Sequence, residues 1–339
     1  MNVRGQRWLC ALVMVLALAA GALALSWEAD RPLEVLKARW AAADSGSKFV
    51  DVRGMAVHVR DEGPRLPNTR DEGPRNELEP IALLHGTGAS LHTWDGWAAE
   101  LATTRRVIRF DLPGFGLTGP YAGAWLNEDG GRYSLVNYAK FVTATLGALG
   151  VTQPVVLAGN SLGGTIAWET ADYLRASAPS RIAKLILVDS AGYDFKAIEM
   201  PMAFEAAQVA QLAPITENTL PRWLIERDVR SVYGQPELVT KELVDRYFDL
   251  ALREGNRRAL GLRMREPRAI APERIAKITQ PTLIIWGGQD RLIPPSNAAL
   301  FARDIKGSKL VMFDALGHVP QEEDVKLTVA AVQSFLAGK

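Results

Sequence analysis

Short aliphatic runs, each four or five residues long, recur along the chain with longer stretches of helical period between them. They stand at 49–52, 55–59, 81–84, 107–110, 155–158, 185–188, 283–286 and 310–313, and each reads as a strand. Between them, 94–101, 134–149 and 165–174 space their apolar residues as helices do. In 134–149, Leu135, Tyr138, Phe141, Val142, Thr145 and Leu149 fall near one face. Strands alternating with helices predict an α/β fold, a mostly parallel eight-stranded sheet with helices on both faces. The first two runs, split by Arg53-Gly54, are close enough to form an antiparallel hairpin at the sheet edge.

The pattern breaks in three places. From 191 to 272 the strand-like runs vanish, and helix-like stretches separated by Pro201, Pro214, Pro221 and Pro236 replace them. This is too long for a connecting loop and predicts a helical cap folded over the strand ends. Met200, Met202, Phe204, Trp223, Tyr233 and Phe248 supply apolar surface for its core, and some of them for a substrate pocket. At the other end, Arg4 and Arg7 precede 18 residues without a charge, Trp8 to Leu25. That is long for a signal-peptide core and short for a full span. It predicts an uncleaved inner-membrane anchor of bacterial type with the body on the periplasmic side, or a secreted body if the segment is cut. An amphipathic helix over 30–43 follows, with Asp30 as its cap, Pro32 in its first turn and Leu33, Leu36 and Trp40 on one face. Third, Arg60-Asp61-Glu62-Gly63-Pro64-Arg65 recurs ten residues later as Arg70 to Arg75. Two polar copies cannot stack as a solenoid, so the repeat predicts a surface loop lengthened by duplication. The organisation expected is therefore a signal or anchor segment (1–25), a linker helix (26–48), an α/β core in two parts (49–190 and 273–339) and the cap (191–272).

Composition narrows the chemistry. The chain has 339 residues, 48% hydrophobic and 23% charged, with a formal net charge of +1. Nothing in that balance points to nucleic acid as a partner. The single cysteine, Cys10, lies in the N-terminal apolar run, which excludes a disulfide framework and a thiolate metal cluster. The four histidines show no metal-ligand spacing, so neither a metal nor an organic cofactor is expected.

The stretch Val155 to Gly164 carries the reaction. Its apolar strand ends in Gly159-Asn160-Ser161-Leu162-Gly163, which fits G-x-S-x-G, and a helix follows. A serine on so sharp a turn needs small residues two positions to either side. The new helix also aims free N–H groups at any oxyanion nearby. His318, in a loop after the last strand, is the candidate base. Asp290, in Gly287-Gly288-Gln289-Asp290, is the carboxylate to orient it, and Asp189 after 185–188 is its rival. The backbone N–H groups of Leu162 and Thr87 are the candidate oxyanion donors, with Gly86 and Gly88 permitting close approach. His85 is expected to orient the turn after its strand, His92 is a candidate to face the pocket, and His58 reads as a surface residue of an edge strand. Asp111, opening Asp111-Leu112-Pro113-Gly114, is expected to tie a turn.

Together, His85-Gly86, the turn from Asp111 to Gly116, the serine turn, Asp290 in its glycine context and Gly317-His318 resemble an α/β-hydrolase of the capped type over about 49–336. The resemblance implies Ser161 as nucleophile, Asp290 as acid, His318 as base, and Thr87 and Leu162 as oxyanion donors. Capped relatives with an aspartate at the elbow, such as epoxide hydrolases and haloalkane dehalogenases, are argued against by the serine. A carboxylic ester with an apolar part is the expected substrate. The alternative is a C–C bond hydrolase of the meta-cleavage-product type, which the Gly-Asn-Ser sequence and the helical cap also resemble. A catalytically silent hydrolase-fold binding protein is a third reading.

Overall fold

The computed structural model describes residues 26–339 except 43–44, 65–77, 129–130, 267–271 and 339; before residue 26 it describes only Trp8, Met14 and Gly21. The 8–25 run thus lies almost wholly outside the described residues. Among those described, no helix is long and apolar enough to cross a membrane.

In chain order, helix α1 (Leu33–Trp40) precedes strands β1 (Ser47–Asp51), β2 (Ala56–Glu62) and β3 (Ile81–Leu84). Then come α2 (Asp95–Leu101), β4 (Val107–Phe110), α3 (Leu135–Ala148), β5 (Val155–Asn160), α4 (Leu162–Leu174) and β6 (Ile182–Val188). Five helices are inserted next: α5 (Met202–Gln208), α6 (Ala213–Thr216), α7 (Arg222–Val232), α8 (Lys241–Ala251) and α9 (Asn256–Arg265). The chain closes with α10 (Pro272–Ile275), β7 (Thr282–Gly287), α11 (Ser296–Asp304), β8 (Lys309–Phe313), α12 (Pro320–Glu323) and α13 (Val325–Leu336).

The eight strands form one sheet in the order β1-β2-β4-β3-β5-β6-β7-β8. The β1–β2 hairpin is antiparallel, β2 joins β4 antiparallel, and every later pairing is parallel. Strands β3, β4, β5 and β7 are buried along their whole length, as a sheet covered on both faces requires. One face packs Phe110, Phe141, Ile166, Trp168 and Trp286; the other packs Trp94, Trp97, Ile186, Ile285 and Val332. Helix α3 begins where expected, with the Ser134 side chain accepting from the Asn137 N–H.

Three readings of the sequence are corrected. His58 is fully buried, because β1 and not β2 is the sheet edge. Its Nδ1 lies 2.8 Å from Asp111 Oδ2 and its ring stacks on Phe49 at 5.2 Å. Asp30 does not cap α1. Pro32 holds the cap position, and the Asp30 carboxylate instead accepts from Gly255 N and Arg257 Nη2 in the insertion. The first copy of the duplicated segment is not wholly loop. Arg60, Asp61 and Glu62 finish β2, where Asp61 pairs with Arg106 at 2.9 Å and Glu62 with Arg109 at 2.8 Å. The second copy lies outside the described residues.

Helix α1 buries Leu36 against Leu117 and Leu250. It is clamped to α8 by Asp249, whose carboxylate accepts from Arg31, Arg39 and the Trp40 indole. His92 completes this clamp and does not line the pocket: its Nε2 donates to Trp40 O at 2.9 Å and its Nδ1 accepts from Ser90 Oγ at 3.0 Å. Burial pushes the His92 imidazole down to about 4 from its ordinary 6.5. At neutral pH the ring is uncharged whether the chain is folded or not, and the full stability is present. As pH falls from 6.5 towards about 4, the unfolded chain takes up a proton that the folded chain refuses, and stability is lost across that window. Thermal unfolding followed between neutral pH and pH 4 is therefore expected to show a falling midpoint, with His92→Gln giving a flatter curve than the parent. Parallel curves would show that this ring does not set the acid limit.

Candidate active site

The turn after β5 has the geometry its small residues imply. Ser161 sits at φ 55°, ψ −116°, a strained conformation for a residue with a side chain. The crowding explains the flanking glycines. A Cβ on Gly159 would lie 2.1 Å from the Gly163 carbonyl oxygen, and one on Gly163 would lie 2.1 Å from that of Leu84. Both obstacles are backbone, so neither can yield cheaply. Gly163→Ala is expected to cost about 3 kcal/mol of stability by overpacking, read as a lower unfolding midpoint together with lost activity. An unchanged midpoint would mean that the elbow relaxes more easily than its packing implies.

Leu162 opens α4, so its N–H has no carbonyl within the helix to meet and stays available to an oxyanion. Thr87 lines the cavity above Ser161, next to Gly88 at φ 74°. His85 sets the course of that loop. Its Nε2 accepts from Leu112 N at 2.9 Å, so its Nδ1 carries the proton and donates to Gly86 O at 2.8 Å. Full burial lowers its pKa and keeps the ring neutral. Asp111 ties this region together, as expected, by accepting from Leu91 N and Leu117 N, each at 2.7 Å. Burial alone would raise its pKa, but the bonded His58 holds the carboxyl below the usual range.

His318 lines the same cavity as Ser161. Its Nδ1 is 2.7 Å from Asp290 Oδ2, while Asp290 Oδ1 accepts from Leu292 N and Ile293 N at 2.8 and 2.9 Å. The carboxylate is thus fixed from both sides, and Nε2 is left as the ring atom able to take a proton. The loop that carries His318 is pinned by residues the sequence reading did not single out for it. Asn160 Nδ2 donates to His318 O at 2.8 Å, and Val232 O of α7 accepts from His318 N at 2.8 Å. Glu323 accepts from Gly317 N on one oxygen and from Gly234 N and Gln235 N on the other, tying the insertion to the loop. For Asn160 the signal was its place beside the nucleophile; for Glu323 the sequence carried none.

Asp189 stands beside the pair rather than in it. Donor atoms of Asp189, Asp290 and His318 all lie within 4.8 Å of one another. Asp189 Oδ1 accepts from Gly287 N at 2.9 Å, and Oδ2 has no protein partner among the described residues. Burial, and then the charge of Asp290, push the pKa of Asp189 well above the usual carboxylate range. Among the described residues these three converge closely enough to hold a metal, but Asp290 already spends both oxygens on two backbone N–H groups and an imidazole.

The cavity has a volume of about 300 Å³ and is mostly apolar, with Phe204, Leu212, Ile215, Leu224 and Leu260 among its walls. A smaller lobe of about 90 Å³ meets it at Thr87 and Ser161 and is walled by Phe195 and Met200. Phe204 and Met200 are therefore pocket residues. Tyr233 and Phe248 pack inside the insertion, and Met202 and Trp223 are exposed. Arg257 also lines the larger cavity. Its Nη2 donates to Glu28 O and Asp30, while Nε and Nη1 have no protein partner among the described residues.

The model of the alpha/beta hydrolase fold matches residues 79–325. The chain belongs to the alpha/beta-hydrolase family. The hydrolase is 28% identical over 275 residues, 76% of its own length and 87% of the relative's, to a 2-hydroxymuconate semialdehyde hydrolase of Pseudomonas sp. (strain CF600). It is 26% identical over 268 residues to Lipase 1 of Psychrobacter immobilis, covering 76% of each chain. Among solved structures it is similar to a membrane phospholipase A described as a bacterial virulence factor, with a TM-score of 0.67, 25% identity and 98% of each chain covered.

Proposed function

We propose that this hydrolase cleaves carboxylic esters that carry an apolar acyl chain, through an acyl-enzyme on Ser161. The observation that carries the reading is a strained serine facing an apolar cavity shared with a histidine whose Nδ1 is held by a buried carboxylate. In this mechanism Ser161 Oγ attacks the ester carbonyl as His318 Nε2 takes its proton. The N–H groups of Leu162 and Thr87 receive the oxyanion, and the alcohol leaves with the proton from His318. Water, activated by the same imidazole, then releases the acid. Asp290 keeps the proton on Nδ1 and balances the imidazolium. The resemblance to a lipase and to a membrane phospholipase A supports a lipid-like ester. The 8–25 run supports attachment of an exported body to the membrane.

A second reading, C–C bond hydrolysis, is favoured by one observation beyond the 2-hydroxymuconate semialdehyde hydrolase resemblance. Arg257 brings to the cavity wall a guanidinium whose Nε and Nη1 have no partner among the described residues, suited to a substrate carboxylate. A series of p-nitrophenyl esters separates the two. If the larger lobe holds the acyl chain, kcat/KM should rise up to roughly fourfold for each CH2 newly buried until the lobe is filled. No turnover of any ester, with a phosphonate still labelling Ser161, would overturn the ester reading in favour of C–C cleavage.

A further inference from the structure

From Ser26, where its continuous description begins, the chain runs along the rim of the cavity. Ser26 O accepts from Leu220 N, Trp27 bridges to Thr219, and Glu28 N donates to Asn218 O. Thr219 and Leu220 both line the cavity that holds Ser161. The strap then stays attached: Arg31 N donates to Leu252 O, Glu254 N donates to Arg31 O, and Asp30 is held by Gly255 N and Arg257. The point where the uncharged 8–25 run joins the body is therefore fixed against the insertion, at the cavity mouth. The same rim exposes apolar side chains. Leu212 and Ile215 line the cavity yet are more than a third exposed, Val209 is 43% exposed one turn away, and Trp27 is 57% exposed.

We infer that this rim lies on the phospholipid bilayer that holds residues 8–25, so that the mouth of the cavity opens onto the membrane and takes its substrate from the lipid phase. An 18-residue helix rises about 27 Å, close to the thickness of a bilayer's hydrocarbon core. Trp8 opens the run and Trp27 follows its end, where indoles favour the two interfaces. A body bonded to the strap from Ser26 to Arg31, directly after the run, cannot turn its far side to that membrane. The exposed apolar rim is the face that gains from burial in the headgroup region, and it is the face that admits substrate. The inference rests on the ester reading and the anchor proposed above, and it adds the orientation of the site.

The full chain in vesicles of phosphatidylethanolamine and phosphatidylglycerol tests it. In a Cys10→Ser background, a fluorophore is attached at Val209→Cys or, as a control, at Ser334→Cys, an exposed position in the last turn of α13. Lipids carrying a nitroxide near the headgroup are expected to quench the probe at 209 and not at 334. Quenching no stronger at 209 than at 334 overturns the proposal, whatever the activities show. Separately, Trp27→Glu with Val209→Glu is expected to lower phospholipid hydrolysis in vesicles by at least about tenfold, with hydrolysis of soluble p-nitrophenyl butyrate unchanged, because charge at a membrane interface opposes docking and not chemistry. Unchanged vesicle activity would also overturn it. Quenching at 209 in a chain that hydrolyses no ester would leave the membrane face standing and overturn the ester reading instead.

Discussion

Ser161→Ala is expected to lower kcat by on the order of 10⁶, to a residue of activity owed to the oxyanion donors and binding alone. The stability of the variant should barely move, because alanine keeps a Cβ at φ 55° and so keeps the strain. Ser161→Gly should differ in that one respect. It removes the nucleophile and also the side chain that the turn disfavours, so it should unfold at a higher temperature than the parent, by about 1 kcal/mol of added stability. Activity lost with stability gained at the same position would identify the strain as serving the chemistry. Retained activity in either variant would place the nucleophile elsewhere.

Asp290→Asn is expected to lower kcat by on the order of 10⁴ while leaving the fold in place. The asparagine amide can take over the Leu292 and Ile293 contacts through its oxygen. It then offers an N–H to His318 Nδ1 and drives the ring to the wrong tautomer. Asp189 supplies the contrast. Burial beside Asp290 already favours its neutral form, and its Gly287 contact needs only an acceptor, so Asp189→Asn should change kcat by less than about tenfold. Steady-state rates of the two variants on one ester decide between the carboxylates. A larger loss at Asp189 would make it the orienting acid.

The features that were legible in the sequence are those whose cause is local. Strands β3, β4, β5 and β7 announced themselves as short apolar runs because burial on both faces demands one. The elbow was readable because its crowding excludes side chains at Gly159 and Gly163, and that exclusion is written in consecutive residues. His318 and Asp290 stood out because each follows a strand that ends on the same edge of the sheet. Features set by strand order or by distant partners were not legible. His58 looks like an edge residue until β2 is seen between β1 and β4. Asp30 looks like a helix cap until Arg257, 227 positions along the chain, claims it. Asp61 and Glu62 read as part of a polar loop because their arginine partners stand on β4 or just before it, 45 and 47 positions away. The raised pKa of Asp189 beside Asp290 likewise exists only once β6 and β7 are neighbours.

The central claim is the covalent step, and one measurement reaches it directly. The full chain is mixed with an excess of a p-nitrophenyl ester, quenched in acid within the first turnovers, digested and weighed by mass spectrometry. The mechanism predicts the mass of the acyl group on the peptide that contains Ser161, held longer in Asp290→Asn than in the parent because deacylation needs the same oriented imidazole. Ester turnover without any acyl mass on that peptide, in both proteins, would contradict it.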